Sequence, residues 1–107
     1  MVERKTKYIL AIDLGTGGPK TALVSTRGEI VAHETEDMAI TFTPDGGAEQ
    51  DANEWWNAAV RATRRILERS DVPREDIVAV SVTTQWSLTV PVDKQGEPIG
   101  NAICWMD

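Results

Sequence analysis

The amino-acid sequence predicts an α/β fold: three antiparallel strands, a crossover helix, a strand parallel to the first, and a terminal hairpin. Three observations carry this. An apolar run, Tyr8-Ile9-Leu10-Ala11-Ile12, is long enough for a strand buried on both faces, and it leads through a glycine-rich turn into a second β-branched run. A single amphipathic stretch begins at Asp51, with apolar residues at three- and four-residue intervals. A second apolar run, Ile77 to Val82, follows at the separation that a parallel crossover requires.

The first of these stretches organises the rest. Asp13 stands where the apolar run ends, and Gly15, Gly17 and Gly18 follow, with Thr16 among them and Lys20 close behind. Glycine admits positive φ and lets another molecule approach the main chain. Successive N–H groups in such a turn suit phosphate oxygens, and a carboxylate at the strand end can hold a hydrated Mg²⁺ against them. The dinucleotide pattern G-x-G-x-x-G and the P-loop both fit poorly, because Pro19 and Thr21-Ala22-Leu23-Val24 continue as strand rather than helix. Taken alone, the same residues also read as a plain hairpin turn with an acid at its mouth.

Composition narrows the class. A chain of 107 residues is one domain at most, and burying somewhat over ~60% of its unfolded surface gives it a modest core. A net charge of −6 argues against a nucleic-acid backbone binder. Met1 to Lys7 is charged, expected to be flexible, and followed by no apolar segment of signal-peptide or membrane-helix length. The single cysteine, Cys104, has no internal disulfide partner, which points to a reducing compartment and a cytoplasmic location with no membrane partner.

The remaining elements follow in order. Thr21–Ser25 is read as a second strand and Glu29–Glu34 as a third, half-exposed one, with His33 at its surface. Thr41 to Gln50, with Pro44 and Asp45-Gly46-Gly47, is read as a loop. Asp51 caps a helix, with Glu54 placed for a capping box and Trp55, Trp56, Ala59, Val60, Thr63, Ile66 and Leu67 forming its apolar stripe. Arg61, Arg64, Arg65 and Arg69 are read as a solvated face rather than an anion site. Val72-Pro73 ends the helix, and Ile77–Val82 is a second buried strand. Thr83 to Ser87 then lies past its carboxyl end, the edge where open α/β sheets bind ligands and where Asp13 also sits. Leu88–Val92 and Pro98–Trp105 form a hairpin around Asp93–Glu97, with Cys104 a small buried hydrophobe.

Several of these stretches, in order, resemble the start of the FGGY carbohydrate kinases, the group of xylulose, gluconate and glycerol kinases. They are Asp13 to Lys20, Glu49-Gln50-Asp51 with Trp55-Trp56, Val82 to Gln85, and the closing G-x-P-x-x-N-A-I-x-W-x-D of Gly96 to Asp107. The resemblance covers the chain from Tyr8 onward. It implies a ribonuclease-H-like, actin-like ATPase fold, with residues 1–107 an incomplete N-terminal kinase domain. It also implies ATP and Mg²⁺ as cofactors and a sugar or polyol as substrate. Asp13 matches the aspartate near Mg²⁺ and the phosphates. Gly15, Thr16, Gly17 and Lys20 match the phosphate hairpin, and Gln85, Trp86, Ser87 and Asp107 fall at the sugar-facing positions. Trp86-Ser87 departs from the Arg-Glu pair of glycerol kinases and the Met-His pair of xylulose kinases, which argues against glycerol. Pro19 stands where a small residue is usual.

In the family the general base is an aspartate far downstream and adenine binds in a second domain. The resemblance therefore implies an N-terminal piece of a kinase, inactive alone, with an uncovered strand that favours self-association; the parent protein could be a homodimer. The rival expectation is a noncatalytic binding or assembly module built on an actin-like half-fold.

Overall fold

The computed structural model describes residues 5–107. Residues 1–4, the start of the segment expected to be flexible, lie outside the described residues. Strands β1 (Tyr8–Gly15), β2 (Gly18–Ser25) and β3 (Ile30–Thr35) form an antiparallel meander. Helix α1 (Ala52–Arg69) and a short 3₁₀ turn (Arg74–Asp76) then bring β6 (Ile77–Thr84) back beside β1, parallel to it. The sheet order is β3-β2-β1-β6, with the expected antiparallel and parallel neighbours.

Side-chain alternation gives this sheet two different faces. On one, Leu23, Ala32 and Ile66 form a buried core against which Tyr8, Leu10, Val72 and Ile77 pack. Helix α1 lies over β2 and β3 on this side, through Ala58, Ala59, Ala62 and Ile66, and the three alanines let it approach the strands closely. The other face, carrying Asp13, Lys20 and Thr83, is open.

Two readings change on the helix. Trp55 is buried as expected, but Trp56 is 72% exposed, because the helix sits over β2 rather than β1 and leaves that flank uncovered. Glu54 does not complete a capping box. Asp51 alone accepts the Asn53 and Glu54 amides, and the Glu54 carboxylate pairs with Arg61. The helix stops at Arg69, before Val72-Pro73, and the Val72 amide donates to Ser70 Oγ.

Three of the four helix arginines pair with carboxylates. Arg61, Arg65 and Arg69, one turn apart, meet Glu34 and Glu36 at the end of β3, and Arg69 also donates to the His33 carbonyl. Burial would raise the Glu34 carboxyl, but hydrogen bonds and charge from Arg69 and Arg65 outweigh it and hold the group below its usual range. At Glu36 the hydrogen bond from Arg61 is the main cause of the same displacement. Solvent screens such exposed pairs, so they add little to stability, and the buried contact of α1 with the sheet holds the helix in place. His33 is exposed, as read. At the other end of the sheet, Lys5 and Lys7 converge on the buried carboxylate of Asp76 at 3.1 and 3.0 Å.

The stretch read as a loop, Thr41 to Gln50, contains two strands. β4 (Thr41–Phe42) and β5 (Ala48–Gln50) pair around a turn, and β5 also pairs with β7 (Ala102–Ile103) to give a second, three-stranded sheet. Each strand is too short to show a period, and the second partner of β5 lies some fifty residues away. The terminal hairpin is present only as bridges, Thr89 with Ile103 and Val92 with Pro98. Pro91 and Pro98 lack the amide donors that a continuous ladder needs.

The largest departure concerns β6. Read as a buried strand, it is instead the sheet edge, with Val78, Val80 and Val82 57–62% exposed. Among the described residues its strand partner is β1, and α1 packs chiefly over β2 and β3.

Candidate functional site

The site grows from the turn between β1 and β2. Gly15 pairs with Gly18, so Thr16 and Gly17 alone make the bend and β2 begins three residues earlier than Thr21. The three glycines differ in what surrounds them. Gly18 has φ +126° and is overlain by the Glu36–Met38 segment, whose Glu36 and Met38 amides donate to the Pro19 and Gly17 carbonyls at 3.0 Å. A β-carbon there would overlap the Glu36 carbonyl. Gly17 has nothing within 4 Å of where its β-carbon would be. At Gly15 that position lies 3.5 Å from Lys20 Nζ and 3.9 Å from Asp13 Oδ1. Gly18 therefore serves the chain, while Gly17 has open space over its α-carbon and Gly15 lies beside a cation and a carboxylate.

Asp13 stands opposite Lys20 on β2 and Thr83 on β6. The three share the open face of the sheet and line a cleft of about 330 Å³. Among the described residues neither Asp13 nor Lys20 is held in an ion pair, so both charges remain available to a ligand.

Gln85 reaches the same end of the sheet, because its amide donates to the Leu14 carbonyl at 3.0 Å and extends the β1–β6 pairing past Thr84. Its side chain meets the glycine turn directly: Thr16 Oγ1 donates to Gln85 Oε1 at 2.8 Å. Trp105 Nε1 donates to Thr16 Oγ1 at 3.2 Å, which brings the end of the chain to the turn. Behind them Gln50, 2% exposed, donates through Nε2 to the Thr16 carbonyl at 2.7 Å and accepts from Gln85 Nε2 at 3.2 Å and Cys104 Sγ at 3.3 Å. Burial, with smaller contributions from Asp107 and Glu49, pushes the Cys104 thiol up and keeps it protonated as that donor.

The sequence-derived residues divide accordingly. Asp13, Gly15, Thr16, Gly17, Lys20 and Gln85 come together at one end of the sheet. Trp86 follows Gln85 but is 81% exposed, and Ser87 holds φ +52°, the one positive φ outside glycine among the described residues. A non-glycine residue in that region marks local strain in this loop. Asp107 is placed elsewhere: its carboxylate accepts the Ala48 amide at 2.9 Å and lines a separate cavity with Thr43, Asp45 and Glu49. Trp105 and Gln50 also belong to this cluster. Their only sequence signal was membership of the closing and E-Q-D motifs.

The model of the N-terminal domain of the FGGY family of carbohydrate kinases matches residues 8–107. The chain belongs to this family. Among curated FGGY relatives it is 36% identical over 103 residues to a glycerol kinase of Janthinobacterium sp. (strain Marseille), covering 95% of this chain and 21% of that one. It is 39% identical over 102 residues to a glycerol kinase of Corynebacterium kroppenstedtii, covering 94% of this chain and 20% of that one. Among solved FGGY structures it superposes on the gluconate kinase from Lactobacillus acidophilus with a TM-score of 0.83 and 28% identity, over 96% of this chain and 20% of that one. On a xylulose kinase from Brucella ovis the TM-score is 0.87 at 21% identity, over 96% and 21%, a likeness of fold alone. The fold is the actin-like one of these kinases, and the chain spans about a fifth of their length.

Proposed function

We propose that this chain forms the phosphate-holding and substrate-facing wall of an ATP-dependent sugar or polyol kinase that transfers the γ-phosphoryl group to a carbohydrate hydroxyl. One observation carries the reading: Asp13 and Gln85 emerge at the same end of adjacent parallel strands, with Thr16 of the glycine turn hydrogen-bonded to Gln85. A phosphate site and a substrate site built there share one cleft.

The residues present fit nucleotide phosphates and a magnesium ion. Gly17 leaves its main chain open, and Lys20 Nζ and Asp13 Oδ1 both approach Gly15. ATP bound with Mg²⁺ supplies the transferable phosphoryl group. Asp13 would hold hydrated Mg²⁺ through water. Phosphate oxygens and water would supply the other ligands of such an ion. Lys20 offsets negative charge on the phosphoryl oxygens, where a fixed cation strengthens its hold as charge develops. Gln85, Ser87 and the indole faces of Trp86 and Trp105 present uncharged hydrogen-bonding and apolar surface, which suits a neutral polyhydroxylated substrate. The proton acceptor for the substrate hydroxyl and the adenine pocket belong to regions of the longer relatives that this chain does not span.

An NMR titration of the full chain with MgATP tests the reading. Shifts are expected at Asp13, Gly15–Gly17 and Lys20, with weak affinity, and a coupled assay with sugars should give no turnover. Unmoved amides in the glycine turn overturn the phosphate site. Turnover by the pure chain overturns the placing of the base elsewhere.

A further inference from the structure

The hydrogen bonds around Gln50 close into a ring whose direction is fully determined. The Thr16 carbonyl can only accept, so the Gln50 amide must turn Nε2 toward it, across 2.7 Å. Gln50 Oε1 is then left as an acceptor, and the Gln85 amide must turn Nε2 to meet it at 3.2 Å. Gln85 Oε1 consequently faces Thr16 and takes its hydroxyl proton at 2.8 Å. The ring returns to the residue where it started. Thr16 Oγ1, its proton committed, is left as an acceptor and takes the Trp105 indole N–H.

Gln50 sits at 2% exposure under this ring, at the last position of β5 and directly before the cap of α1. A buried amide costs stability unless its groups are paired, and here donor and acceptor are both used. The pairing adds a buried side-chain link between two parts that the β1–β6 ladder already brings side by side. Thr16 belongs to the phosphate turn, and Gln85 opens the substrate loop.

We propose that Gln50 is a positioning residue that fixes the phosphate turn against the substrate-facing loop, holding Thr16 through its donor and Gln85 through its acceptor. This rests on the kinase reading for its catalytic meaning, but the coupling itself is a property of the ring. Gln50 touches neither the transferred group nor the sugar. The β1–β6 ladder sets the backbone spacing of the two half-sites, and Gln50 sets the orientation of the Gln85 side chain and the proton order at Thr16.

NMR of the full chain tests this. In the native protein the side-chain amide protons of Gln50 and Gln85 should exchange slowly; free exchange of either overturns the ring. Gln50→Met fills the same volume without hydrogen bonds. It should speed exchange of the Gln85 side-chain amide by roughly tenfold and move the Trp105 indole signal, while the α1 and β1 backbone amides keep their protection. A change confined to position 50, with Gln85 and Trp105 unmoved, overturns the proposal. Gln50→Glu separates pairing from packing. Its carboxylate repels the Thr16 carbonyl, but its protonated form can donate to it, so the Trp105 signal should return to the native position as pH falls through a carboxyl pKa raised above ~4.3. A Trp105 signal independent of pH in that variant overturns the proposal. Adding MgATP distinguishes the two readings. With the native chain the glycine-turn amides and the Gln85 side chain should shift together, and in Gln50→Met the Gln85 shift should shrink, since only the direct bond from Thr16 remains. An undiminished Gln85 shift in Gln50→Met overturns the coupling, whereas a glycine turn unmoved in both proteins overturns the kinase reading and leaves the exchange and pH results to decide the ring.

Discussion

The α-carbon of Gly18 lies so close to the carbonyl oxygen of Glu36 that no side chain fits between them. With φ +126°, the residue is also in a backbone region that other amino acids rarely adopt. Gly18→Ala is therefore expected to lose several kcal/mol of stability, from steric overlap and strain together. Gly17→Ala, where the space is open, should keep the unfolding midpoint and weaken MgATP binding instead. Thermal unfolding of the two variants checks the contrast, and equal destabilisation would count against it.

Leu23 is fully buried between the sheet and α1, in contact with Ile66. Truncation leaves a cavity that the strand cannot close. Leu23→Ala should cost about 3 kcal/mol, measured by denaturant unfolding with an unchanged slope.

Asp76 links folding to pH. The hydrogen bond from Lys7 is the main cause that holds its carboxyl below the usual range, burial opposes it, and Lys5 adds to the lowering. A carboxyl depressed in the folded state stabilises above its unfolded pKa of about 4, and that contribution is lost as pH falls through the lower folded value. Unfolding followed from pH 5 down to about 2 should show an acid limb that Asp76→Asn flattens. The same slope in both proteins would show that Asp76 does not contribute to it.

Lys20 lines the open cleft and enters no ion pair among the described residues, so its loss removes little from the fold. Lys20→Ala is expected to shift the unfolding midpoint by no more than about 0.5 kcal/mol while abolishing the shifts that MgATP produces in the glycine turn. Retained shifts at unchanged affinity would remove Lys20 from the phosphate site.

The β6 edge carries eight residues without charge or proline, and three valines stand more than half exposed on the α1 side. Between them and Trp56 runs an apolar cleft of about 440 Å³ lined also by Leu10, Ile12 and Val60. Unpaired uncharged edges template association. Sedimentation of the isolated chain should show concentration-dependent self-association, reduced by Val80→Lys; a monomer at all concentrations would contradict it.

Much of this protein was legible from residue order alone. The apolar run into Asp13 and the glycines, the cap at Asp51 and the spacing to Ile77 fixed the order of strands and helix, because period, capping and crossover length are local properties of a chain. The glycine turn marked one end of the candidate site for the same reason. Only the tertiary structure decided that Trp55 is core and Trp56 is not, since the two adjacent residues differ only in which strand the helix happens to cover. It also decided that Thr41–Gln50 holds strands, that Asp107 serves the Ala48 amide, and that β6 is an edge. Gln50 and Trp105 reach Thr16 across 34 and 89 residues, and no local pattern encodes a contact at that separation.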